Sequence, residues 1–216
     1  MPSSEWARRL AESRTLPLHR RDERRAILAE QVGERYAGCT FEGYRLDDGP
    51  AQAAALRRVQ AYVDALADEH PGNLVLFGPP GTGKDHLMTA ALFEAIARYG
   101  LLVCWRDGSR LWQTLRESFN GDASAEHRTF RLATNAQIFA ISDPAPPKGE
   151  ASRFFADFLQ RVIDERYRRR MPTWATLNAE GAAAERLLSA PLVDRLRDGA
   201  TAINCNWQSY RKAATT

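Results

Sequence analysis

The run from Asn73 to Lys84, NLVLFGPPGTGK, decides the fold. Leu74 to Phe77 reads as a buried strand, the glycines and prolines after it as a loop, and the residues from Lys84 onward as a helix. Such a loop lets backbone N–H groups converge on an anion, and the helix behind it points its positive end at the same place. The spacing from Gly78 through Gly83 to Lys84 fits the P-loop, whose lysine reaches the outer phosphates of a nucleoside triphosphate. Gly78, Pro79, Pro80, Gly81, Thr82, Gly83, Lys84, Asp85 and His86 are therefore the candidate nucleotide-binding residues, although packing in the first helical turn would equally explain His86. The pattern departs at one position: Asp85 stands where Ser or Thr ordinarily holds magnesium.

Composition supports a site-specific role for Lys84. Of 30 basic residues only Lys84, Lys148 and Lys212 are lysine, in a chain that otherwise uses arginine. A compact ammonium on a flexible stem fits between phosphates where a planar guanidinium does not. Net charge is only +3, so any affinity for nucleic acid must come from local patches. A length of 216 residues suits one α/β domain with appended helices. No apolar run approaches a membrane span or a signal core, so a soluble, cytoplasmic protein is expected. Cys39, Cys104 and Cys205 lack metal or disulfide spacing, and His19, His70, His86 and His127 offer no metal set either.

Along the chain, the first 35 residues are charged, with eight arginines and six acids. Arg20 to Glu34 reads as a helix with Ile27, Leu28 and Val32 on one side, either packed on the domain or docking a partner. A turn-rich segment containing Gly38, Gly43, Asp47, Asp48, Gly49 and Pro50 separates it from a helix at Ala51 to Ala67, closed by His70, Pro71 and Gly72. Strands are expected at Leu74 to Phe77, Leu101 to Trp105, Gln137 to Ile141, Thr173 to Leu177 and Ala200 to Cys205. Helices are expected at Lys84 to Tyr99, Arg110 to Phe119, Ala125 to Leu132, Arg153 to Arg169 and Ala183 to Arg197. This alternation reads as a five-stranded parallel sheet with helices on both faces. Phe154, Phe155, Phe158, Leu159, Val162, Ile163 and Tyr167 recur at helical spacing and read as core.

The last third discriminates among P-loop proteins. VIDERYRRRMPTWATLN, LLSAPLVDRLRDG and CNWQSYRK follow one another in an order and spacing that resemble the DnaC/IstB-like AAA+ ATPases, the bacterial and phage helicase loaders. With GPPGTGKDHL and FEGY, the resemblance spans about Thr40 to Lys212. It implies an AAA+ P-loop ATPase domain over 51–216 with little or no lid, a docking extension over 1–50, and ATP with Mg2+ as cofactors. It implies Asn178 as the polar sensor of the γ-phosphate, a residue that otherwise reads as a turn asparagine capping the next helix. Arg195 matches the arginine finger acting on a neighbouring subunit's ATP, and Arg211 the second sensor. Pro191 stands where the family usually has another arginine.

The third strand departs again. After AQIFAI the family usually has two acids, whereas this chain has Ser142 and Asp143. Ser142 takes the magnesium-associated place and Asp143 that of the catalytic base. With Asp85 this reads as an exchange of carboxylate and hydroxyl, making Asp85 and Asp143 the candidate metal residues. A purely structural Asp85, favoured by the helix dipole, is the other reading. Slow hydrolysis is expected, because aspartate reaches less far than glutamate.

Arg106, Arg110, Trp112 and Arg116 interleave basic and aromatic groups and are the candidate contacts to single-stranded DNA. Leu111, Trp112, Leu115 and Phe119 also form an apolar stripe, which would bury Trp112. Arg166, Arg168, Arg169 and Arg170 form a second basic patch. The resemblance implies ATP-controlled loading or remodelling of a replicative DNA helicase by a self-associating protein. A transposition helper of the same family and a non-hydrolysing adaptor stay open.

Overall fold

The computed structural model describes residues 4–47, 49–68, 71–119, 123–144 and 151–211. Asp48, His70, Lys148 and Lys212, named above, lie outside them. Five parallel strands, β1 (Leu74–Phe77), β2 (Val103–Asp107), β3 (Ile138–Ser142), β4 (Thr173–Leu177) and β5 (Thr201–Asn204), form one sheet in the order β2-β3-β4-β1-β5. The expected five-stranded parallel sheet is thus observed. β1, which leads into the glycine loop, lies between β4 and β5.

Strand periodicity sorts the core into two layers, because successive side chains point to opposite faces. Leu74, Leu76, Val103, Trp105, Ile138, Ala140, Trp174 and Ile203 face one layer, built with α1 (Glu5–Arg14), α2 (Leu18–Val32), α4 (Pro50–Ala65) and α5 (Lys84–Tyr99). Val75, Cys104, Phe139, Ile141, Ala175 and Leu177 face the other, under α6 (Gly108–Phe119), α7 (Ala123–Asn135), α8 (Ala151–Arg168), α9 (Gly181–Leu188) and α10 (Ala190–Arg197). Both faces are covered over β1 to β4, which accounts for their nearly unbroken apolar runs, while edge strand β5 leaves Ala202 and Asn204 exposed.

Three expectations need correction. The single helix over Ala183 to Arg197 is two, separated at Ser189, whose φ of 79° no right-handed helix contains. Pro191 explains the break: it sits in the first turn of α10, where its missing N–H costs nothing, but would disrupt a continuous helix. Tyr167 is exposed rather than core and donates its hydroxyl to Asp198 at 2.8 Å. Ile27 is also exposed, while Leu28 and Val32 are buried.

The charged N-terminal stretch carries a helix the periodicity did not reveal. Ser4 caps α1 by accepting from Ala7 N, and Trp6 and Leu10 insert into the first core layer. Arg169 clamps both carboxylate oxygens of Glu5 with its Nε and Nη2, and Ser13 Oγ donates to Gln137 at 2.8 Å. α2 covers β2, the edge strand, and Gln31 accepts the Trp105 backbone N–H at 2.7 Å. That bond satisfies a donor an open edge would leave exposed. A four-residue turn, α3 (Glu34–Ala37), follows.

Arg166 holds α7, α8 and β4 together. It is fully buried and makes five bonds, to the carbonyls of Ala133, Ala136, Gln137 and Pro172 and to the Thr173 hydroxyl. Burial pulls its pKa down to about 9. Arg166 and the Glu5-bound Arg169 therefore leave the second basic patch, correcting their grouping with the exposed Arg168 and Arg170.

Candidate functional site

The glycine loop folds because its glycines occupy positions closed to other residues. Gly78 has φ 142° and a Cβ there would meet the Cys205 carbonyl at 2.5 Å; Gly81 has φ 84° and a Cβ would collide with the Ser209 side chain. The chain after β5 thus presses directly on the loop. Tyr210 N donates to Gly81 O at 3.0 Å, and Trp207 Nε1 to Thr82 O at 2.8 Å. Tyr44 packs against Gly83 and edge-on against Tyr210. Sequence reading quoted the FEGY and CNWQSYRK segments but missed this supporting role, since each contact joins residues far apart in the chain.

Lys84 opens α5 and is buried, its Nζ donating to the carbonyls of Gly78 at 2.8 Å and Pro79 at 2.7 Å. Burial lowers its pKa from the ordinary 10.5, against the raising effect of Asp85. Beside the loop lies a cleft of about 500 Å³ whose walls include Lys84, Asp85, Ser142, Asp143, Asn178 and Arg211. Tyr36, Cys39, Tyr44 and His86 also line it. Burial, together with the charge of Asp85, raises the Tyr36 hydroxyl and pushes the Cys39 thiol up to about 11, so both are neutral near pH 7. His86 Nε2 donates to Thr40 O at 2.9 Å, since a carbonyl only accepts, and its ring meets Tyr44 edge-on. His86 therefore both lines the cleft and braces it.

At the ends of β3 and β4 the polar residues converge. Ser142 Oγ donates to Asp85 Oδ1 at 2.7 Å, and Thr176 Oγ1 donates to the same oxygen at 2.8 Å. Thr176 has no motif signal in the sequence. Asp143 follows β3 in a left-handed conformation, φ 46°, and its Oδ2 accepts from Asn178 Nδ2 at 2.8 Å. Burial raises the Asp143 carboxyl above the ordinary 3.8; the Asn178 bond opposes that, and the Asp85 charge adds to it. Asn178 is no helix cap, because α9 starts at Gly181 with Glu180 before it.

Arg195 lies elsewhere. Its Nε pairs with Asp164 at 2.7 Å, and it lines a second cleft of about 580 Å³ with Asn73, Tyr167, Arg168 and Arg170. Asn73 Nδ2 bonds the Arg195 carbonyl at 3.0 Å and immediately precedes β1, whose other end carries the glycine loop. A four-residue strand spans roughly 13 Å, so Arg195 stands at the opposite end of the sheet from its own Lys84. Among the DNA candidates, Arg110 and Arg116 are exposed, and Arg106 is half-buried and donates to Trp105 O at 2.7 Å. Trp112 is a correction: it is buried, 4.4 Å centroid to centroid from Phe155, and cannot stack on a base.

IstB-like ATP binding proteins match this chain over residues 18–216, which takes in α2, the loop, the cleft and α10. The chain belongs to this family. The IstB-like chain is 26% identical over 220 residues to the replicative helicase loader DnaC of Escherichia coli strain K12, covering 97% of this chain and 86% of the relative. Its fold is that of the crystal structure of the DnaC helicase loader, with a TM-score of 0.70 at 19% identity, over 80% of this chain and 99% of that one. The replication initiator DnaA bound to AMPPCP and single-stranded DNA superposes with a TM-score of 0.65 at 18% identity, over 82% of this chain and 51% of that one. The α/β P-loop fold of AAA+ type and ATP binding are therefore properties of this family member. Among the described residues, no helix is long and apolar enough to cross a membrane, and no three metal-binding side chains cluster.

Proposed function

We propose that this protein is an ATP-controlled loader of a replicative DNA helicase. The observation that carries the reading is the division of its phosphate-directed groups: Lys84, Asp143, Asn178 and Arg211 share one cleft, while Arg195 is held at the far end of the sheet. Such a division suits an assembly in which each subunit completes its neighbour's site, so that ATP favours assembly and hydrolysis ends it. The 86% coverage of a helicase loader supports helicase as the partner.

Within the cleft, Lys84 exchanges its two loop carbonyls for phosphate oxygens when nucleotide enters. Magnesium, when bound, would offset phosphate charge; the carboxylate oxygens of Asp85 and Asp143 suit such a hard cation. Asp143, oriented by Asn178, accepts the proton of an attacking water, and Arg211 meets the γ-phosphate in the same subunit. The short aspartate makes turnover slow. Exposed Arg110 and Arg116 are proposed to follow the phosphates of single-stranded DNA.

The test is helicase transfer onto a single-stranded circle with the replicative helicase of the same cell, in the presence of ATP. Loading above the helicase-only level, lost in Lys84→Ala, is expected. Loading by Lys84→Ala equal to the parent would favour an adaptor that needs no nucleotide, and capture of a transposase instead of helicase would favour a transposition helper.

A further inference from the structure

Asp85 and Ser142 come from elements 57 residues apart and meet at 2.7 Å. Each carries the side-chain type that a P-loop site ordinarily holds at the other's position: hydroxyl after the lysine, carboxylate at the end of the third strand. The bonding is lopsided in an informative way. Oδ1 of Asp85 accepts from both Ser142 and Thr176, whose hydroxyls are 3.3 Å apart, whereas among the described residues Oδ2 takes no hydrogen bond. Asp85 lines the cleft beside Lys84.

We infer that the two positions have exchanged roles: Asp85 is the carboxylate that meets the divalent cation accompanying the nucleotide, and Ser142 with Thr176 orients it. Two donated hydroxyl bonds fix Oδ1, which leaves Oδ2 as the oxygen for a hard cation. The charge count at the site is that of an ordinary P-loop, but the carboxylate now stands on the phosphate side. Without a cation between them, Asp85 and the phosphates repel. Nucleotide affinity should consequently depend on magnesium more steeply than in a site with a hydroxyl after the lysine. The inference rests on the ATP site described under the proposed function.

A fluorescent ATP analogue titrated onto the full chain, with magnesium and with chelator, tests it in the parent, Asp85→Thr, Ser142→Asp and the double variant. The parent should bind at least tenfold tighter with magnesium, about 1.4 kcal/mol. Asp85→Thr should lose most of that gain and bind the chelated nucleotide better than the parent. Ser142→Asp sets two carboxylates in contact and should weaken binding in both conditions, while the double variant should regain the magnesium response, a coupling that independent sites do not give. A parental magnesium gain in Asp85→Thr, or no recovery in a folded double variant, overturns the exchange. Should the double variant not fold by circular dichroism, Asp85→Asn decides, because it keeps an oxygen for both hydroxyls and removes only the charge: a parental gain there overturns the inference too. Failure of the parent to bind at all, or equal binding by Lys84→Ala, would instead defeat the ATP-site reading. Equal parental binding with and without magnesium defeats the exchange alone.

Discussion

Lys84 is the residue whose surroundings set the conditions for binding. Burial holds its pKa below 10.5, so the charge that phosphates require is lost earlier on the alkaline side than in an exposed lysine. Nucleotide affinity is expected to stay level near neutrality and to fall as pH rises through that lowered pKa; equilibrium binding across pH 7 to 10.5 checks this. Asp143 gives the opposite limb. Its raised pKa means that the carboxylate loses its charge above the ordinary aspartate range, so if Asp143 is the base, as proposed, ATP turnover should decline on acidification before an exposed aspartate protonates. A turnover profile flat down to 3.8 would remove Asp143 from that role. Arg166 acts on stability instead. Arg166→Met strands four carbonyls and the Thr173 hydroxyl without their donor, and denaturant titration should register a loss of about 3–5 kcal/mol. Nothing in the spacing of Arg166 to Arg170 separated this buried arginine from the exposed Arg168 and Arg170, because the difference lies in the carbonyls of Ala133, Ala136 and Gln137 that the fold brings to α8 from the end of α7.

At the scale of the element, the sequence was most legible where pattern and covering agree. Strands buried on both faces read as continuous apolar runs, and all five lay within two residues of the spans expected. The loop was equally plain, since its glycines answer to backbone geometry that few other residues adopt. α1 was illegible for the converse reason: its inward face is only Trp6, Leu10 and Ser13, and much of the rest of its anchoring is polar, to Asp68, Asn135, Gln137 and Arg169. In the cleft, Asp143 and Asn178 could be named from motif order, whereas Thr176 could not, being one more threonine in a buried strand until the fold sets it against Asp85. The anchoring of α1 is measurable. Trp6→Ala removes a fully buried ring and should cost about 3–5 kcal/mol, while Leu18→Ala, on a residue 77% exposed, should stay within about 0.5 kcal/mol. Equal effects in thermal or denaturant unfolding would mean that α1 does not belong to the core.

For the molecule as a whole, the separation of Arg195 from its own Lys84 has a consequence that can be read in mixtures of subunits. The strand between them is short but rigid, and Asn73 fastens the end of α10 to its start, so no side-chain rotation brings Arg195 to the glycine loop of the same chain. If Arg195 serves the neighbouring ATP, Lys84→Ala and Arg195→Ala chains are each inactive alone for different reasons. The first lacks a site but has a finger; the second has a site but lacks the finger to offer. Mixed in equal amounts, they form interfaces where the intact site of one meets the intact finger of the other, and ATP turnover should reappear at a fraction of the parental rate set by random assembly. An Arg195 that only braces Asp164 from within its own chain predicts something else. The Arg195→Ala subunit would then be damaged irrespective of its neighbours, and the mixture would hydrolyse no more ATP than its two components measured apart.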